Sequence, residues 1–230
     1  MWETADMAKR WRWVLAFTIV LTVLGLVGRR GRLVERITGT PRTARGYVNS
    51  GINALRQREP GAAIRAFQRA VALEPEDAEI HYLLAQALET AGRTDEAARE
   101  YRTTVTLNPS LVSPRYNLAV IYRLQGNYTS MEAELQQAVT RFPDFGAAHR
   151  LLGTLYFDRG EWEGALSELT RALKDPSAVI VDRVSVHLML GRSAEKLGRD
   201  REAAEHWRTV LVLDPNNREA QQELKALSVR

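Results

Sequence analysis

The 230 residues hold no cysteine, which excludes disulfides and thiolate metal sites. The formal net charge of +4 is unevenly placed: residues 1–46 carry nine Lys/Arg against three acids, and the remainder carries 23 bases against 25 acids. The positive balance therefore describes a basic collar. Nucleic-acid binding is not expected, because it needs basic charge spread along a face with interleaved aromatics.

Residues 1–12 form a short N-terminal tail, and residues 13–28 (Trp13 to Gly28) run for sixteen positions without a charge. As a helix this segment spans about 24 Å, slightly less than a hydrocarbon core of about 30 Å. Its flanks extend that reach. Trp11, Arg12 and Trp13 on one side and Arg29, Arg30 and Arg32 on the other suit the membrane interface, where long cationic side chains snorkel to headgroups. A cleaved signal would need small residues at a cleavage site, and Leu26-Val27-Gly28 followed by Arg29-Arg30 is a poor one. A buried core helix would not be apolar on every face between arginines. The expectation is one uncleaved transmembrane helix.

Three bases precede the span (Lys9, Arg10, Arg12) and six follow it (Arg29, Arg30, Arg32, Arg36, Arg42, Arg45). The positive-inside rule then favours cytoplasmic repeats. Short basic N-terminal tails commonly stay inside, however, which makes a periplasmic or other extracytoplasmic location the alternative. Residues 29–43 read as a basic juxtamembrane linker, broken by Gly39 and Pro41. Its arginines can also rest on anionic lipids, at about 1 kcal/mol each near the surface.

Beyond the linker, Pro75, Pro109 and Pro143 stand thirty-four residues apart, twice over. A period of that length marks stacked helical hairpins. Gly92, Gly126, Gly160 and Gly198 fall between paired helices as a second ruler, where positive φ is often required. Small residues (Gly51, Ala85 and Ala119 in first helices, Ala63 and Ala97 in second ones) mark where helices touch. Tyr47, Leu84, Phe67, Tyr101, Leu118 and Tyr122 fill the seams. Ser113 ahead of Pro114, together with Asp77, Thr94, Asp144 and Asp200, is expected to cap a helix N-terminus. About four extra residues after Asp175-Pro176 predict an extended first helix in the fifth hairpin. Arg218 to Ser228 predicts a final helix with Ala220, Leu224 and Leu227 inward and a polar outer face, as an end cap requires.

These phrases resemble the tetratricopeptide repeat family. The fourth repeat reads Leu152-Gly153, Tyr156, Ala165, Leu169, Ala172, and the fifth reads Leu190-Gly191, Ala203, Trp207, Pro215. The resemblance implies an all-α fold. It is an α-solenoid of five helix-turn-helix repeats at 44–77, 78–111, 112–145, 146–179 and 184–217, with a capping helix at 218–230, preceded by the transmembrane helix. It further implies that first-helix positions line a concave face that binds a protein or peptide partner. Those positions include Tyr82, Gln86, Glu89, Tyr116, Arg123, Arg150, Thr154, Phe157, Arg192 and Glu195. Tyr, Phe and Arg are the residue types that anchor interfaces. Members that grip acidic chaperone tails use Lys and Asn in the first repeat; Val48 and Ile52 stand there here, and neither can bind a carboxylate.

His81, His149 and His187 share the fourth position of their repeats, with Arg115 in the third repeat. Repeats stack too far apart for shared metal ligation at about 2 Å. The expectation is that these imidazoles stand where the family often places an aromatic, and that His206, beside Trp207, lies at the surface or rim. The acidic runs Glu74-Pro75-Glu76-Asp77 and Glu161-Trp162-Glu163 read as solvated hairpin edges. Neither a nucleophile–histidine–carboxylate set nor a phosphate loop is legible. The expected role is that of a non-enzymatic, membrane-anchored scaffold or assembly factor without cofactor or metal. A structural accessory subunit of a larger membrane complex, or a periplasm-facing chaperone-like repeat protein, is the alternative.

Overall fold

The computed structural model describes residues 43–175 and 180–228, with Ile180, Val181 and Asp182 as backbone only. The tail 1–12, the predicted span 13–28 with Trp11, Arg12, Trp13, Arg29, Arg30 and Arg32, and the linker up to residue 42 lie outside the described residues. Among the described residues no helix is long and apolar enough to cross a membrane.

Eleven α-helices and no strand occur among the described residues. They are α1 (Ala44–Arg56), α2 (Pro60–Leu73), α3 (Ala78–Thr90), α4 (Thr94–Leu107), α5 (Val112–Leu124), α6 (Tyr128–Arg141), α7 (Gly146–Asp158), α8 (Trp162–Ala172), α9 (Ile180–Lys196), α10 (Asp200–Leu213) and α11 (Arg218–Leu227). They belong to two compact units divided between Ala91 and Gly92, a boundary that falls inside the 78–111 repeat.

In the first unit, α1 and α2 form a hairpin and α3 packs on α2. Ala44, Ala70 and Ile80 make the core with Tyr47, Val48 and Val71 against it. Phe67 is fully buried over Gly51, where an added Cβ would stand 2.5 Å from the ring. In the second unit the same opposition recurs: Leu169 lies over Gly153 and Trp207 over Gly191, where an added Cβ would stand 2.7 Å from each side chain, a space that only glycine tolerates. Two cores follow, one around Met131, Leu135, Leu151 and Leu152, the other around Leu169, Leu190, Trp207 and Val210. Each fully buried side chain of this size contributes about 1.5–3 kcal/mol of burial free energy.

The turn glycines adopt positive φ: Gly92 at 73°, Gly126 at 70°, Gly160 at 74° and Gly198 at 69°. The first hairpin carries Arg58 at the equivalent position, with φ of 61°, the left-handed conformation without glycine's freedom.

Capping differs from expectation at several ends. Asp77 caps α3, accepting from the Glu79 and Ile80 amides. Thr43, Asn127 and Asn217 cap α1, α6 and α11 in the same way. Thr94 and Asp200 are already the first helical residues, so Arg93 and Arg199 are the N-caps and give no side-chain cap bond. Their first-turn acids, including Asp95, Glu96 and Glu202, still complement the helix dipole. Ser113 lies inside α5 behind the N-cap Leu111, with Pro114 in the first turn. Asp144 gives way to Phe145 as N-cap of α7, and that ring packs edge-on against Tyr116.

The insertion ahead of the fifth hairpin lengthens its first helix. α9 has 17 residues where α7 has 13, about one added turn. α11 closes the chain with Ala220 fully buried and Leu224 and Leu227 against the α9–α10 core.

Candidate functional site

In the second unit, Tyr116 and Arg123 stand on α5, Arg150, Thr154 and Phe157 on α7, and Arg192 and Glu195 on α9. Tyr116 and Phe157 are half-buried, each held by an edge-to-face ring at 5.5 Å, Phe145 and Trp162 respectively. Such pairs fix aromatic orientation while leaving one face available. The Thr154 hydroxyl donates to the Arg150 carbonyl at 2.8 Å and lies 3.8 Å from the Met189 sulfur, which ties α7 to α9. Among the described residues, neither the exposed Arg123 nor the half-buried Arg150 takes part in an ion pair.

The two α9 residues are different. Arg192 donates to both carboxylate oxygens of Glu219 on α11, with Nη2 at 2.7 Å, and this bond holds its guanidinium above the ordinary arginine range. Glu195 accepts from the Trp207 indole N–H at 3.4 Å. Both side chains are thus engaged within the protein.

In the first unit, Tyr82 and Gln86 are half-buried and Glu89 exposed along α3. An open hollow of about 310 Å³ lies nearby, lined by Arg45, Val48, Glu74, Asp77, Glu79, Ile80 and Leu83. Sequence reading did not find it. The signal was present in Val48, which argued against a carboxylate clamp and also marks an apolar floor.

The fourth position of the repeats does more than replace an aromatic. His81 Nε2 donates to the Pro75 carbonyl at 3.0 Å, and His149 Nε2 donates to the Pro143 carbonyl at 2.9 Å, bracing each helix against the turn before it. A second contact reaches nineteen residues ahead. His149 Nδ1 meets Glu168 at 2.6 Å and Arg115 Nη1 meets Glu134 at 3.0 Å, while buried Arg115 Nε has no hydrogen-bond partner. In the fifth repeat the carboxylate is replaced. His187 Nδ1 faces His206 Nδ1 at 3.2 Å, so His206 is half-buried and meets a partner on the preceding helix. Burial, the neighbouring His206 and Arg183 push His187 down to about 4, and burial lowers His206 against the charges of Glu202 and Glu205. Among the described residues no group of three His, Cys, Asp or Glu could hold a metal ion.

Hairpins of regular period, packed small-against-large and exposing first-helix side chains, define a helical-repeat protein. The tetratricopeptide repeat profile matches residues 48–112 and 116–179, and the chain belongs to that family. Among solved structures it is similar to MamA (residues 41 to the end) from Desulfovibrio magneticus RS-1, at 23% identity over 77% of this chain and 98% of that one, with a TM-score of 0.63. It is also similar to YrrB, described as a TPR protein with an unusual peptide-binding site, at 16% identity over 84% and 96%, with a TM-score of 0.64. A tetratricopeptide repeat protein from Parabacteroides merdae shares 14% identity over 82% and 73%, with a TM-score of 0.65. At these identities the likeness is one of fold. No curated protein matches the chain in sequence.

Proposed function

We propose that this protein is a membrane-anchored scaffold or assembly factor that holds a protein or peptide segment on the exposed face of its first helices. The observation that carries the reading is the set on α5 and α7: two oriented aromatics, Tyr116 and Phe157, beside Arg123 and Arg150, which have no ion pair among the described residues. Oriented rings give large contact area at low entropy cost, and guanidinium groups recognise carboxylates and backbone carbonyls. Membership of the family supports a protein partner, and the peptide-binding site named for YrrB supports a segment as the ligand.

Anchoring rests on the uncharged run 13–28 with its basic flanks. Confinement to a thin layer raises the effective concentration of partners without any new contact. The arginine balance supports cytoplasmic repeats, with an extracytoplasmic orientation as the alternative. A nucleic-acid partner is disfavoured, because the chain beyond the basic collar carries 25 acids against 23 bases.

A second reading is an accessory subunit that buries a wide surface in a larger membrane complex. Crosslinking of the full chain in native membranes tests the first reading. Tyr116→Ala with Arg150→Ala is expected to abolish partner capture while helicity is unchanged. Capture equal to wild type, with stoichiometric co-purification through salt washing, contradicts the groove and supports the subunit.

A further inference from the structure

The residue pairs nineteen apart show what is unusual in the fifth repeat. Arg115–Glu134 and His149–Glu168 each set a cationic or proton-donating group against a carboxylate. At the same two positions the fifth repeat sets two imidazole nitrogens against each other, Nδ1 to Nδ1 at 3.2 Å, with the rings tilted by 42°. Two facing imidazole nitrogens need a proton or a metal ion between them. Two nitrogens each about 2.0–2.1 Å from a tetrahedral Zn²⁺ stand about 3.3 Å apart, just beyond the range of about 2.7–3.2 Å that a hydrogen bond spans. The observed 3.2 Å lies where the two ranges meet, so the pair can exchange its shared proton for a metal ion with little movement.

We propose that His187 and His206 form a two-nitrogen site for an exchangeable borderline divalent metal, Zn²⁺ or Cu²⁺, whose remaining positions are filled by water. Imidazole suits these ions, and affinity for such a site follows the order that places Cu²⁺ highest. His187 is 7% exposed and is held by α9, while half-buried His206 on α10 leaves a path for solvent ligands. The α10 carboxylates Glu202 and Glu205 place negative charge near His206, and Arg183 on α9 opposes it at His187. The other histidines do not offer this arrangement: both nitrogens of His149 are engaged, and His81 Nε2 is bound to Pro75. A metal that bridges α9 and α10 binds the folded state alone and raises its stability by mass action.

The test uses the untagged full chain in detergent, stripped with chelator and then titrated with ZnCl₂ or CuCl₂. Micromolar Zn²⁺ is expected to raise Tm, reversibly with chelator. His187→Gln and His206→Gln are each expected to weaken the response by roughly tenfold or more, while His81→Gln leaves it unchanged. Should a variant fold poorly, Cu²⁺ electron paramagnetic resonance on the wild-type chain decides, with coupling to two imidazole nitrogens expected. An unmoved Tm, a shift that survives in both variants, or a Cu²⁺ spectrum without two nitrogens overturns the proposal and leaves the pair an imidazole–imidazole hydrogen bond.

Discussion

The fourth and fifth repeats are built on one plan and finished differently. In the fourth, Leu169 fills the space over Gly153, His149 bonds to Glu168 and to Pro143, and Arg150, Thr154 and Phe157 stand along α7. In the fifth, Trp207 fills the space over Gly191, His187 meets a second histidine, and Arg192 and Glu195 are engaged by Glu219 and Trp207. The lesson is that equal repeat positions do not imply equal roles. α11 supplies the carboxylate that occupies Arg192, so the last repeat spends its first-helix charge on its own end cap. The fourth keeps Arg150 without an ion pair among the described residues.

The largest expected effect breaks the fifth repeat at its core. Trp207→Ala removes a fully buried ring and is expected to destabilise by about 3–5 kcal/mol, read as a lower denaturation midpoint. The indole is the larger of the two fully buried groups, so this loss should exceed that of Leu169→Ala measured alongside.

The histidine pairs give the next contrast. In metal-free protein His187 has an ordinary value of 6.5 and falls to about 4 on folding, so between these values the unfolded chain takes up a proton that the folded chain refuses. Stability from this group is complete above pH 6.5 and is lost as pH falls toward 4. The loss is about 2 kcal/mol, below the full linkage figure because water reaches the pair and screens it. His206→Glu gives the fifth repeat the carboxylate that the third and fourth possess, and is expected to flatten this acid limb in a urea-denaturation series.

The smallest effect concerns a turn. Arg58 holds a left-handed conformation where four later turns use glycine, and Arg58→Gly is expected to stabilise by about 0.5–1 kcal/mol once glycine's greater chain entropy is subtracted. Gly126→Arg should move the midpoint the other way.

Much of the fold was legible because repetition averages out local ambiguity. The proline and glycine rulers agreed on helix ends, and the small residues Gly51, Ala63, Ala97 and Ala119 are all buried where helices meet. The extra turn of α9 was visible as a simple excess of residues. Capping was less legible, since Thr94 and Asp144 each missed their predicted role by one residue, and one residue decides whether a side chain can reach a free amide. The site was only partly legible. Arg192 reads in sequence like Arg150, and nothing local reveals that Glu219, twenty-seven residues on, occupies it. The His187–His206 pair was hidden for the same reason: its partners lie on different helices at a spacing no short motif covers.

Placing a photo-crosslinking amino acid at Arg150, and separately at Arg192, in the full chain in native membranes tests the central claim most directly. The account predicts one discrete adduct from position 150, with a much weaker one from position 192. Equal adducts from both positions, or none from 150 while exposed Arg208 on α10 gives a strong one, would contradict it.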